Sequence, residues 1–297
     1  ETMREELLSA CEKVLWDEPL SQHTTVRVGG PADAIVSPKN IDELDGILKF
    51  CRRTRLSWFV LGAGSNLVVR DKGVRGVVIQ LSQGFSNHRI EKEEGEELTI
   101  YAEAGVGIPR LVDWTAEQGL TGIEPLAGIP GNLGGVISMN AGTSEGEIGT
   151  RVVNTTFMDK DGRLNTWSRE QIRFGYRESH FPRGAVILSA RLSLKRAQPA
   201  EVVKETIRQM RERRVQTQPL NVPNLGSVFK NPAGKFAGAL IEEAGLKNVR
   251  VGGARVSPKH ANFIVNESRD AKARDVIALI GLVRDKVREK CGVLLEP

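Results

Sequence analysis

The spacing of apolar residues changes period several times along the chain, and each change predicts an element. Ile41, Leu44, Ile47, Leu48 and Cys51 recur at helical intervals, which predicts a helix over 41–54. Apolar runs predict a strand at 58–61 and a β-rich stretch at 74–81. Residues 98–104 alternate as a half-buried strand does. Over 109–119, Pro near the start and Gly at the end bound a helix. Residues 152–159 and 163–167 read as a hairpin turning at Asp161-Gly162. A long strand at 185–195 precedes a basic helix at 200–214, opened by Pro199. The last third carries a helix at 236–244 stopped by Gly245, a strand at 262–265 and a long helix at 271–290 stopped by Gly292. Ile277, Ile280, Val283, Val287 and Cys291 mark the expected buried face of that last helix. The composition shifts at 196–199, the best boundary in the chain.

Two glycine-rich segments interrupt these periods. Residues 60–67 read V-L-G-A-G-S-N-L, and 126–142 read L-A-G-I-P-G-N-L-G-G-V-I-S-M-N-A-G. Glycine loses the most backbone freedom on folding, so such runs need compensation. The usual one is close approach of a ligand to bare main chain, with N–H groups turned to an anion such as a pyrophosphate. Two such loops point to a large, phosphate-bearing cofactor. The first is followed by a β-rich run rather than an amphipathic helix, and Leu67 stands where G-x-G-x-x-G needs its third Gly. It also lacks the Lys-Ser/Thr of a P-loop. Both standard nucleotide folds are therefore disfavoured.

Composition adds little. Gly makes up 31 of 297 residues, roughly 10% against an average of about 7%, and much of the excess lies in those two segments. Hydrophobic and charged contents of 40% and 27% are those of a water-soluble globular chain. No apolar run reaches the roughly 20 residues of a membrane helix, and the amphipathic N-terminus lacks the pattern of a signal peptide. Cys11, Cys51 and Cys291 are few, far apart and odd in number, which argues for a reducing cytoplasm and against a disulfide framework or metal cluster. Cys51 and Cys291 read as small core residues. The net charge of +5 suits an acidic ligand or simply a solvated surface. Arg208, Arg211, Arg213 and Arg214 raise a nucleic-acid patch as one reading; no aromatic side chains are interleaved, so a solvated helix face is favoured.

Three further segments mix aromatics with Arg, Ser, Lys or Asn outside any regular period: F-G-Y-R-E-S-H-F at 174–181, L-G-S-V-F-K-N-P at 225–232 and V-S-P-K-H-A-N-F-I-V-N at 256–266. With the two glycine segments and T-T-V-R-V-G-G-P-A-D at 24–33, they run in order over nearly the whole chain. In that order the chain resembles the UDP-N-acetylenolpyruvoylglucosamine reductases, FAD enzymes that complete UDP-N-acetylmuramate for the bacterial cell wall.

The resemblance implies an α+β fold: two FAD-binding subdomains of the vanillyl-alcohol oxidase type, expected at 1–84 and 85–198, and a smaller substrate domain at 199–297. Non-covalent FAD would lie against Gly62, Ala63, Gly64, Ser65, Asn66 and Leu67 on one flank. Gly128, Ile129, Pro130, Gly131, Gly134, Gly135, Asn140, Ala141 and Gly142 would line the other. NADPH would reduce the flavin, and flavin N5 would pass hydride to the β-carbon of the enolpyruvyl ether. Charge then spreads from the α-carbon into the carboxylate, which calls for a cation and a proton source. Arg177, in Y-R-E-S, matches the carboxylate-stabilising arginine, and Ser227, in G-S-V-F-K-N-P, matches the proton donor. Tyr176, Lys230, Asn231, Gln218 and Lys259 are the implied contacts to the UDP-sugar, with His260 as a further candidate.

Four departures accompany the resemblance. Asn132-Leu133 replace the usual Ser/Thr-Val/Ile. Gln218 stands nearest the family's substrate lysine. The strand at 185–195 follows Phe181 too soon for the inserted tyrosine loop of some members, so the shorter subtype is expected. The family's catalytic glutamate would fall just after Pro297; Glu296 matches its non-catalytic neighbour, and a chain without the former is expected to bind substrate but reduce it poorly. The alternative is another flavin oxidoreductase of this fold. Some of those bind FAD covalently through His or Cys, but His23, His88, His180 and His260 all lie outside the glycine loops.

Overall fold

A computed structural model describes residues 2–197 and 199–297. The chain divides into two compact units. The first takes in the chain up to Trp16, Ala34–Ala63 and Arg75–Glu212; the second takes in Asp17–Asp33, Gly64–Val74 and Arg213–Pro297.

In the first unit, helix Ile41–Thr54 has the predicted limits. The Asn40 side chain accepts the Glu43 N–H, Asp42 and Glu43 sit at the positive end, and Arg52 and Arg53 at the negative end. Leu44, Ile47, Leu48 and Cys51 are buried on its inner face. Burial pushes the Cys51 thiol up to about 11, so it behaves as a small apolar side chain. Strand Trp58–Val60 pairs in parallel with Val74–Ile79, and strands Pro31–Val36 and Val14–Pro19 extend that sheet. Parallel strands are usually joined through a helix. Here 61–73 contains none, as the β-rich run after the glycines predicted.

The larger sheet is antiparallel. Its order is Leu164–Ser168, Val152–Met158, Val186–Arg196, Glu97–Glu103 and His88–Glu94. The expected hairpin forms, with Met158 opposite Leu164. Asp159 Oδ1 accepts the N–H of Asp161 and of Arg163, and Gly162 supplies the positive φ of the turn. Leu98, Ile100, Leu192 and Leu194 pack against Leu111 and Val112 of helix Ile108–Glu117. The basic helix extends from Ala200 to Thr217. Arg208 pairs with Glu205 and Glu212, and Arg211 with Asp113, so the charge of these two arginines is balanced locally.

In the second unit, strands Asn224–Ser227, Phe263–Val265, Ala254–Val256 and Arg250–Val251 form an antiparallel sheet in that order. Helices Ala237–Glu243 and Ala273–Cys291 share its core. The last helix is turned relative to the expected face. Val276, Leu279, Val283 and Val287 are buried, Ile277 is exposed, and Ile280 and Cys291 lie half-buried at the margin. The apolar stripe was wide enough to begin at either 276 or 277; packing against the sheet selects between them.

Asn266 is fully buried and ties distant segments together. Its Nδ2 donates to Val26 O (2.9 Å) and its Oδ1 accepts the Ala271 N–H (3.1 Å). Asn266→Ala strands both groups, and a loss of about 2 kcal/mol is expected, read as a lower urea midpoint at unchanged slope.

Candidate active site

The two glycine segments meet in a cleft inside the first unit. Val60, Leu61 and Gly62 form one side, and Asn132, Gly134 and Gly135 the other. Leu81, Gly105, Val186 and Ile187 complete it, and it encloses about 160 Å³. Short helix Leu133–Ser138 is docked through its leading backbone. Leu133 N donates to Val106 O and Gly134 N to Ala104 O, both at 2.9 Å, while Asn132 Nδ2 reaches Gly105 O at 2.7 Å.

The glycines divide by what replaces their side chains. A Cβ on Gly134 would stand 3.0 Å from Ala104 Cβ, and one on Gly62 3.2 Å from Asn132 Oδ1. A Cβ on Gly142 would meet Gly146 O at 2.2 Å. These positions let the chain approach itself. Gly128 and Gly131 adopt positive φ, and Gly131 O accepts the Ile108 N–H. Gly135 differs: nothing lies within 4 Å of its missing Cβ, so bare backbone opens into the cleft. In the second unit, Gly64 (φ +65°) lies so close to residue 23 that a Cβ would stand 2.0 Å from His23 O. In the first unit, bare main chain at Gly135 beside the apolar side chains of Val60, Leu61, Leu81, Val186 and Ile187 suits the flat part of a cofactor.

Arg177 sits at the tip of a turn closed by paired hydrogen bonds between Gly175 and Glu178, with φ +57°. Its guanidinium is held at several points. Nη1 donates to Glu147 Oε1 at 3.1 Å, and Nη2 to Gly142 O at 2.8 Å. Asn140 O lies at 3.5 Å from Nη1, and the Tyr176 ring at 5.0 Å from the guanidinium carbon. Asn140 is the buried hub. Its Nδ2 donates to Glu147 Oε2 (2.9 Å) and Gly175 O (2.8 Å), and its Oδ1 accepts the Gly149 N–H (2.9 Å). The first unit thus brings Asn140, Gly142, Tyr176 and Arg177 together. Glu147, which joins them, was not singled out from the sequence: S-E-G-E-I-G has no period that distinguishes it.

The second unit holds the other candidates. Ser227 is exposed at the end of strand Asn224–Ser227, opposite Phe263, and follows Gly226 at φ +69°. The next residues are pinned by Asn262, whose Oδ1 accepts the Phe229 N–H and whose Nδ2 donates to Phe229 O, both at 2.9 Å. Lys230 Nζ lies 2.6 Å from Glu296 Oε1. Asn231 Oδ1 accepts the Ala237 N–H at 3.0 Å. Lys259 Nζ donates to Val215 O. Gln218 Oε1 is buried and has no hydrogen-bond partner among the described residues. His260 Nδ1 accepts the Asn262 N–H at 3.2 Å, and burial lowers its pKa, so the ring is a neutral structural acceptor there. Among the described residues no group of His, Cys, Asp and Glu suits a metal ion, and no helix is long and apolar enough to cross a membrane.

Residues 32–168 match the family described as FAD binding domain. Residues 218–297 match UDP-N-acetylenolpyruvoylglucosamine reductase, C-terminal domain. Wild-type Phl p 4.0202, a glucose dehydrogenase, shares the fold at 12% identity over 65% of this chain and 44% of its own, with a TM-score of 0.51. The chain is therefore a flavin-dependent oxidoreductase with the α+β architecture of the vanillyl-alcohol oxidase type. The UDP-N-acetylenolpyruvoylglucosamine reductase of Moorella thermoacetica is 46% identical over 96% of this chain and 91% of its own, and that of Alkaliphilus oremlandii 42% over 95% and 91%. The crystal structure of the Thermus caldophilus UDP-N-acetylenolpyruvylglucosamine reductase superposes with a TM-score of 0.81 at 37% identity, covering 96% of each chain. This chain belongs to the UDP-N-acetylenolpyruvoylglucosamine reductase family.

Proposed function

We propose that the protein reduces the enolpyruvyl ether of UDP-N-acetylglucosamine to UDP-N-acetylmuramate in the cytoplasm, with NADPH as reductant and dissociable FAD as carrier. The observation that carries this reading is the fixed guanidinium of Arg177, held by Glu147 and Gly142 in the unit that contains the glycine cleft. When bound, FAD supplies a two-electron link between NADPH and the enolpyruvyl double bond. Gly62, Ala63, Gly64, Ser65, Asn66 and Leu67 would hold it, with Gly128–Gly131, Gly134, Gly135 and Asn140–Gly142 on the other flank.

Arg177 is assigned the substrate carboxylate. Its planar, permanently charged fork stabilises the enediolate that develops as the β-carbon is reduced. Ser227 is assigned the proton delivered to the α-carbon. A hydroxyl is a feeble acid in water, so it serves only a strongly basic carbanion-like centre. Its exposure leaves it accessible to a ligand. Tyr176, Lys230, Asn231, Gln218 and Lys259 are assigned to the sugar nucleotide; the unpartnered Gln218 Oε1 is an acceptor that a bound ligand would satisfy.

The test is to mix the purified protein, FAD, NADPH and the enolpyruvyl sugar nucleotide. A flavin absorbance band removable by acid and NADPH consumption that requires the sugar nucleotide are expected. A colourless protein that takes up no FAD, or NADPH loss indifferent to the sugar nucleotide, overturns the reading.

A further inference from the structure

We propose that Glu147 is a positioning residue that aims Arg177 at the substrate carboxylate without neutralising its binding edge. The proposal rests on the role assigned to Arg177 above. A carboxylate beside an arginine ordinarily takes two parallel N–H···O bonds and consumes one edge of the fork. Here it does not. Glu147 Oε2 is occupied by Asn140 Nδ2 at 2.9 Å, so only Oε1 is turned to Arg177, at a single nitrogen and 3.1 Å.

The consequence is geometric. Nη1 is tied to Glu147, and Nη2 to Gly142 O. Nε makes no hydrogen bond among the described residues. The guanidinium is fixed in plane while its Nε edge stays available to a planar anion. Asn140 makes this possible. It is buried to 2% exposure and its side chain is spent on three fixed partners, so it cannot release Glu147 to chelate the arginine. Arg177 stands at φ +57° in the turn at 175–178, and its guanidinium is placed by Glu147 on one nitrogen and Gly142 O on the other.

The test uses the FAD-loaded enzyme and separates the two half-reactions. Glu147→Gln preserves length and an acceptor for Arg177 but places an amide N–H₂ against Asn140 Nδ2, or loses the acceptor if it flips. Flavin reduction by NADPH is expected to stay within ~2-fold of the parent, and flavin reoxidation by the enolpyruvyl sugar nucleotide to slow by ~10-fold. In an Arg177→Lys background, Glu147→Gln is expected to add less than ~2-fold, because the residue it acts through is gone. If Arg177→Lys slows reoxidation but Glu147→Gln does not, or if the two losses multiply, this proposal fails while the role of Arg177 stands. If Arg177→Lys leaves reoxidation unchanged, the role of Arg177 falls and this proposal with it. Should Glu147→Gln fail to fold, Glu147→Asp, which keeps the charge and shortens the reach, carries the same comparison.

Discussion

Replacing Ser227 with alanine is expected to slow flavin reoxidation by the enolpyruvyl sugar nucleotide by about 10²- to 10⁴-fold, the range ascribed to a positioned general acid. The variant should fold as the parent does. Ser227 is exposed, its hydroxyl makes no hydrogen bond among the described residues, and strand pairing with Phe263 runs through the backbone. Flavin reduction by NADPH involves no proton from this hydroxyl, so that half-reaction should keep its rate. The contrast between half-reactions is the useful readout, because a general disturbance of the protein would slow both. Single-turnover absorbance measurements on each half separate them. Parental reoxidation in Ser227→Ala would remove the serine from its role and leave the α-carbon proton to another donor.

The second large effect concerns stability. Gly64→Ala is expected to cost about 3 kcal/mol or more, from two sources. The left-handed backbone at φ +65° carries a penalty of roughly 1–2 kcal/mol for any residue with a Cβ. The added carbon would also stand 2.0 Å from His23 O and 2.8 Å from Thr24 Cα, which are backbone atoms with no rotamer to move aside. Relief would require parting residues 23–25 from the loop, at the cost of the hydrogen bond from Thr25 N to Gly64 O at 3.0 Å. Urea or thermal unfolding measures the loss, with Gly135→Ala as the contrast. Open space surrounds the missing Cβ of Gly135, so that variant should fold but bind flavin more weakly. Equal stability of Gly64→Ala and the parent would contradict the close approach at His23.

The elements that could be read in advance are those whose signal is local. Helix Ile41–Thr54 has both its limits written in adjacent residues, from the Asn40 cap to the arginines of its last turn. The hairpin is legible for the same reason, since Asp159 and Gly162 satisfy the turn from within it. Strand His88–Glu94 escaped notice because H-R-I-E-K-E-E has almost no apolar face; it is an edge strand, where charge is common. Helix Leu133–Ser138 was hidden by Gly134 and Gly135, poor helix formers held helical by the carbonyls of residues 104 and 106. At the site, the motif order pointed to Arg177, Asn140 and Gly142, but the contacts that bring Arg177 to Glu147 and to Gly142 span 30 and 35 residues.

By itself the sequence determined most of the periodic elements and the family, weighed against a dinucleotide fold with a helix after its glycine loop, and pointed to a phosphate-bearing cofactor. The elements rest on residues within one turn or one strand, and the family on the order of short motifs from residue 24 to residue 266, so the information lies along the chain itself. Tertiary structure decided which glycines admit a ligand and which admit the chain itself, which face of the last helix is buried, and that residues 17–33 and 64–74 belong with 213–297. Those outcomes depend on partners such as Val26 with Asn266, or Asp71 with the N–H groups of Ala273 and Arg274. Groups some 200 residues apart share no local period, and only the packed backbone brings an unsatisfied N–H within reach of its acceptor.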